Sequence, residues 1–276
     1  MQTDTPAFSR TIERYQRYLD IVAPAHAELG AVIELQNPRF RVAVFGSHAL
    51  PDDSPYTNRV GEVATELARH DIDVLEGGGP SAMAAAAKAV WNARMNGSKA
   101  VVISVTLGFV DQELHDFQHL AFATQDFGAR LALFTAYSCH SICMPGGFGT
   151  LLEGSWAMQI AQKAWVSKLA LEAEIARRRG TGEELDELYV MSEMQAFTPN
   201  PWIRRGFVPQ ATFFDSEFWQ GHRAQMQTFS AQGTIRPHDT ELARYVDTTD
   251  AIVEHVLAQR DEWRARLRSY GIEPEN

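Results

Sequence analysis

A run of buried-strand character, Ser141-Ile142-Cys143-Met144, opens into Pro145-Gly146-Gly147-Phe148-Gly149-Thr150-Leu151-Leu152-Glu153. Glycines after a buried strand let the backbone turn sharply and approach a ligand closely. The free amides at the start of the next helix, reinforced by its dipole, attract a phosphate. Thr150 suits either a helix cap or a phosphate oxygen. Glu153, in the first turn of a helix starting at Thr150, has two readings. It is the acid of a Thr-x-x-Glu capping box, or a carboxylate held beside whatever the loop grips. A second glycine loop, Gly77-Gly78-Gly79-Pro80, also lies between a strand and a helix and offers another wall for a phosphate. Gly46-Ser47 follows a third strand. It is not the Gly-x-Gly-x-x-Gly fingerprint of dinucleotide binding, because His48, Ala49 and Leu50 come next, and no Gly-x-x-x-x-Gly-Lys-Ser/Thr run is present. Those absences argue against a nicotinamide enzyme and against a phosphate-loop ATPase.

Positioning these loops requires a particular order of elements. Val42-Ala43-Val44-Phe45, Ile72 to Leu75, Val101 to Val105, Leu120 to Ala123, Ser141 to Met144, Ala211 to Phe214 and Tyr245 to Asp247 read as short strands. Between them lie helical patterns: Val60, Val63, Ala64, Leu67 and Ala68 on one face, an alanine-rich stretch to about Asn96, Phe127 to Tyr137, and Thr150 to about Trp165. A helix through Trp219 and Met226 and a closing one marked by Ile252, Val256, Trp263 and Leu267 complete the series. Strict alternation predicts an α/β fold: a Rossmann-like, doubly wound parallel sheet with helices on both faces. Ligands on such sheets bind at the carboxyl ends of the strands, where all three glycine loops fall. Ile12, Tyr15, Leu19 and Val22 predict an N-terminal helical segment over residues 1–38, leaving 39–276 as a single domain. The charged stretch 168–205 breaks the alternation and reads as a helical insertion or lid.

Bulk properties narrow the partners. The chain has 276 residues, 45% hydrophobic and 22% charged, with a formal net charge of −10. A surface that acidic repels a nucleic-acid polymer but does not exclude a single nucleotide held by backbone amides. Two cysteines, Cys139 and Cys143, make neither a disulfide framework nor a zinc site. No secretory leader or bilayer-length apolar run is evident, so no membrane partner and a cytoplasmic location are expected. His115 and His119 have the i, i+4 spacing of a helical metal pair but lack a third ligand, so no metal is expected. His140 makes no nucleophilic pair with Cys139, since neighbours in a strand point to opposite faces.

Taken together, Phe45-Gly46-Ser47, the loop at 77–80 with Met83 after it, and Pro-Gly-Gly-x-Gly-Thr-x-x-Glu at 145–153 resemble the Lonely Guy family, cytokinin-activating phosphoribohydrolases and related nucleoside-monophosphate nucleosidases. The resemblance spans about 41–160 and returns at Phe214 to Trp219 and at Gln232 to Ile235. It implies hydrolysis of the N-glycosidic bond of a nucleoside 5′-monophosphate to free base and ribose 5-phosphate. It assigns the essential glutamate to Glu153 and the essential arginine to Arg130. It places the nucleotide against Gly46, Ser47, Gly77, Gly78, Gly79, Met83, Gly146, Gly147, Gly149 and Thr150. No cofactor is implied. The old lysine decarboxylase label of that family fails here, because none of Lys88, Lys99, Lys163 and Lys168 has the setting of a pyridoxal phosphate Schiff base.

The chain also departs from the family pattern. Arg130-Leu131 stands where Arg-Lys is usual, and Ala84 and Ala87 replace a familiar glutamate and asparagine. These changes leave open a nucleotide sensor without catalysis, or glycosyl transfer by the same cation chemistry. A helix apolar on several sides (Leu151, Leu152, Trp156, Met158, Ile160, Trp165) predicts a homodimer, as the resemblance does.

Overall fold

A computed structural model describes residues 37–108, 114–181 and 200–276. The helix expected within 1–38, and residues 182–199 of the expected insertion, lie outside the described residues. Seven parallel strands form one sheet in the order β4-β3-β2-β1-β5-β6-β7. They are β1 (Arg41–Phe45), β2 (Asp73–Glu76), β3 (Val102–Leu107), β4 (Leu120–Thr124), β5 (His140–Cys143), β6 (Gln210–Phe214) and β7 (Ala243–Val246). Each coincides with a strand expected from the sequence to within two residues. The chain winds outward from β1 to β4, then returns to lay β5 against the other side of β1, with Val42 opposite His140 and Phe45 opposite Cys143. That reversal makes β1 and β5 the switch point, and crevices open there at the carboxyl ends.

Alternation along the strands builds two cores. Val42, Val44, Val74 and Val102 face one side, under α1 (Pro55–Arg69), α2 (Ala82–Met95) and the closing helix α6 (Thr249–Ser269). Ala43, Phe45, Leu75, Ile103 and Val105 face the other, under α3 (Phe127–Tyr137), α4 (Phe148–Thr181) and α5 (Gln220–Ala231). Burial on both faces is why inner strands such as β1 and β3 read as near-continuous apolar runs. Local chemistry sets the helix ends. Ser54 caps α1 by accepting from Thr57 N at 3.1 Å. Asp126 does the same for α3 through Ala129 N at 2.9 Å.

Two expectations change. Helix α4 starts at Phe148 rather than Thr150 and runs on to Thr181 instead of ending near Trp165. No glycine or proline interrupts 155–179, and strong helix formers carry it forward. Its continuation, with Arg177 and Arg178 paired to Glu174, forms the first part of the expected insertion. Asn200 then anchors the returning chain. Fully buried, it donates to the carbonyls of Thr135 and Ser138 and accepts from the amides of Trp202 and Ile203. His115 and His119 lie in a loop, not on a helix. His119 Nδ1 accepts the Val102 amide at 3.0 Å, and no group of three metal-ligating side chains occurs among the described residues. No helix among them is long and apolar enough to cross a membrane.

Candidate functional site

At the β1–β5 switch point a cleft of about 490 Å³ is lined by Gly46, Ser47, Gly77, Met83, Arg130, Gly147, Gly149, Thr150 and Glu153. Residues more than 100 positions apart meet here because parallel strands end at one level. The turn after β5 is pinned to β1 by the Met144 amide, which donates to Phe45 O at 2.8 Å. Helix geometry leaves the amides of Phe148, Gly149 and Thr150 without intrahelical partners, pointing out of the start of α4. A Cβ added at Gly147 or Gly149 would meet nothing within 4 Å, so the cleft side of this turn is open. Gly146 instead packs on Thr150, whose hydroxyl would lie 2.2 Å from an added Cβ.

The earlier start of α4 removes the capping-box reading of Glu153. Thr150 is inside the helix and Glu153 lies in its second turn, so its carboxylate cannot reach back to a cap amide. It meets Arg130 instead: Nη1 lies 2.7 Å from Glu153 Oε1. Arg130 is held at two further points, by Nε donating to Val105 O at 2.9 Å and by its guanidinium over the Phe134 ring. Glu153 is only 7% exposed. Burial pushes its carboxyl up to about 7, with the Arg130 charge opposing that rise. A group poised there holds or releases a proton at neutral pH.

The triple-glycine loop is arranged differently from a simple phosphate grip. Gly77 lines the cleft, tight against Arg130. The Gly78 amide is turned inward and donates to the Glu76 side chain at 2.5 Å. Gly78 and Gly79 are not among the residues lining the cleft. Met83 sits under Gly77. Of the departures from the family pattern, Leu131 is buried, Ala87 is buried in the core under α1 and α2, and Ala84 faces a groove between those two helices. None of the three lines the cleft. Sequence reasoning missed Glu76, although a carboxylate ending an apolar strand just before glycines was a signal. It also missed Phe127 and Phe148, aromatic residues at the cleft.

No known family profile and no curated protein matches the chain. Among solved structures it is similar to the molybdenum cofactor carrier protein of Chlamydomonas reinhardtii, at 14% identity over 81% of this chain and 99% of that one, with a TM-score of 0.49. It is similar to the molybdenum cofactor binding protein of Rippkaea orientalis at 12% identity over 80% and 96%, with a TM-score of 0.47. A structural-genomics target, TM1055, is similar at 20% identity over 44% of this chain and 70% of that one, with a TM-score of 0.37. Likenesses this distant assign no function.

Proposed function

We propose that the chain is a phosphoribohydrolase that cleaves the N-glycosidic bond of a nucleoside 5′-monophosphate. The observation that carries this reading is the Arg130–Glu153 pair, 2.7 Å apart, behind the free amides that begin α4. The amides of 148–150 take the 5′-phosphate, and the open faces of Gly147 and Gly149 let it approach. Anchoring the phosphate presents the anomeric carbon to Glu153, so binding energy away from the reacting bond serves the chemistry. Ionised Glu153 stabilises the oxocarbenium-like cation or takes the proton of the attacking water. The glycosidic electron pair leaves with the base, which gains a proton, and water completes ribose 5-phosphate. Arg130 keeps part of Glu153 ionised despite burial, and its own fixing by Val105 O keeps the carboxylate aimed. The enzyme needs no cofactor in this scheme. A second copy is proposed to cover the apolar surface at the start of α4, where Phe148 is 93% exposed and Leu151 and Leu152 are also exposed.

Incubation with a panel of nucleoside monophosphates, assayed for free base and ribose 5-phosphate, tests the reading. Release by the wild type, and loss of turnover by orders of magnitude in Glu153→Gln with nucleotide affinity nearly unchanged, is the expected result. Binding without release would replace hydrolysis by sensing. Release only with an added acceptor would replace it by glycosyl transfer.

A further inference from the structure

Glu76 places a carboxylate where charge is normally excluded. It is the last residue of β2, fully buried, and does not line the cleft. A buried carboxylate is costly unless its oxygens are partnered, and both are. Oε2 accepts the Gly78 amide at 2.5 Å and has His115 Nε2 3.2 Å away. Oε1 accepts the Ser104 hydroxyl. The Phe117 amide donates to His115 Nδ1 at 3.2 Å, which fixes the ring beside Glu76.

These bonds have a consequence one residue away. Gly78 is held at φ +78, a conformation suited to glycine, and the turn presses Gly77 against the site arginine. A Cβ at Gly77 would stand 2.1 Å from Arg130 Nη2. On the neighbouring strand β3, the Ser104 hydroxyl donates to Glu76 while the carbonyl of the next residue, Val105, accepts a hydrogen bond from Arg130 Nε. Thr106 packs against Gly78, where an added Cβ would lie 2.3 Å away. Residues 104–106 thus tie the glycine turn and the arginine to one strand end.

We propose that Glu76 is a positioning residue: it locks the Gly77–Gly78 turn against the Arg130 guanidinium and so sets the group that pairs with Glu153. For its effect on turnover this rests on the hydrolase reading; for its effect on Arg130 it does not. The guanidinium is therefore read directly, by the exchange of the Arg130 Nε proton with solvent in 15N–1H spectra, assigned by its loss in Arg130→Lys. Glu76→Leu removes every bond and is expected to speed that exchange about tenfold or more, as the local opening becomes easier. Glu76→Gln, which can still accept from Gly78 and donate to Ser104, is expected to restore slow exchange. Turnover should follow: kcat about tenfold lower in Glu76→Leu with KM little changed, as for a group that acts on orientation, and recovered in Glu76→Gln. Should Glu76→Leu fail to fold, Ser104→Ala removes one bond and is expected to speed exchange about threefold by the same opening. Unchanged exchange in a folded Glu76→Leu or Ser104→Ala protein overturns the proposal, as does a Glu76→Gln protein that behaves like Glu76→Leu. A wild type that releases base from no nucleotide would end the hydrolase reading and leave the exchange result standing.

Discussion

A single methyl group at position 77 would lie 2.1 Å from Arg130 Nη2 and 2.7 Å from Met83 Sδ. Arg130 has little freedom to yield, because Nε and Nη1 are already bonded to Val105 O and Glu153. Gly77→Ala is therefore expected to lower turnover roughly a hundredfold, the usual cost of displacing a catalytic group by about an ångström; steady-state kinetics on a folded variant checks it. Gly147→Ala and Gly149→Ala are the counterpart. Their new methyls meet no protein atom, so melting temperature should hold while nucleotide affinity falls about tenfold or more if a phosphate occupies that space. Calorimetric titration would detect the loss, and undiminished affinity would move the phosphate elsewhere. The Glu153 carboxyl sets the pH dependence. With burial raising it to about 7 and the ionised form active, activity should climb as pH rises through that value. Arg130→Met withdraws the charge that favours ionisation, so the climb should shift to higher pH in the rate profile.

At the scale of elements, β5, β6 and α6 are joined by a buried polar chain that crosses the sheet. His255 Nε2 donates to Gln210 Oε1 at 2.6 Å, its Nδ1 accepts the Thr212 hydroxyl at 2.8 Å, and Thr212 Oγ1 accepts from His140 Nε2 at 2.9 Å. Burial holds His140 well below the ordinary histidine range and lowers His255 to about 4, with Arg244 adding to the latter. Unfolding frees both rings to bind protons below about 6.5, so the unfolded state gains protons there and stability falls with falling pH. Denaturation midpoints measured from about pH 7 to pH 4 should drop, and His255→Gln should flatten the slope by removing one titrating ring. At the start of α2, Ser81 adopts φ +58 with no side-chain cap bond. Ser81→Gly relieves that strain and is expected to stabilise the fold by about 1 kcal/mol in urea titration.

For the whole molecule, the proposed second copy makes its own claim. Leu151→Asp with Leu152→Asp places charge on the exposed face of α4 and should convert a dimer to a monomer in light scattering, with the sheet intact by circular dichroism. A wild type that is monomeric at all concentrations would remove the dimer from the account. The order and type of the elements were legible in the chain because they are local properties. Two-sided burial writes continuous apolar runs, helical faces repeat at 3.6 residues, and glycine marks the turns between them. Thus Val42 to Phe45, the Phe127 to Tyr137 helix and the loop at 145–150 could be placed from residue types alone, and strand–helix alternation determined a parallel sheet with a cleft at the carboxyl ends. Side-chain partners were not legible, because they depend on register between segments. Whether Glu153 capped its own helix or met an arginine was settled by a start at Phe148 and by α3 lying alongside. That the Gly78 amide is spent on Glu76, and that His140 reaches Thr212, 72 residues on, became visible only once the strands were side by side. Periodicity records which face a residue presents to the interior; only the folded packing decides which atom waits there.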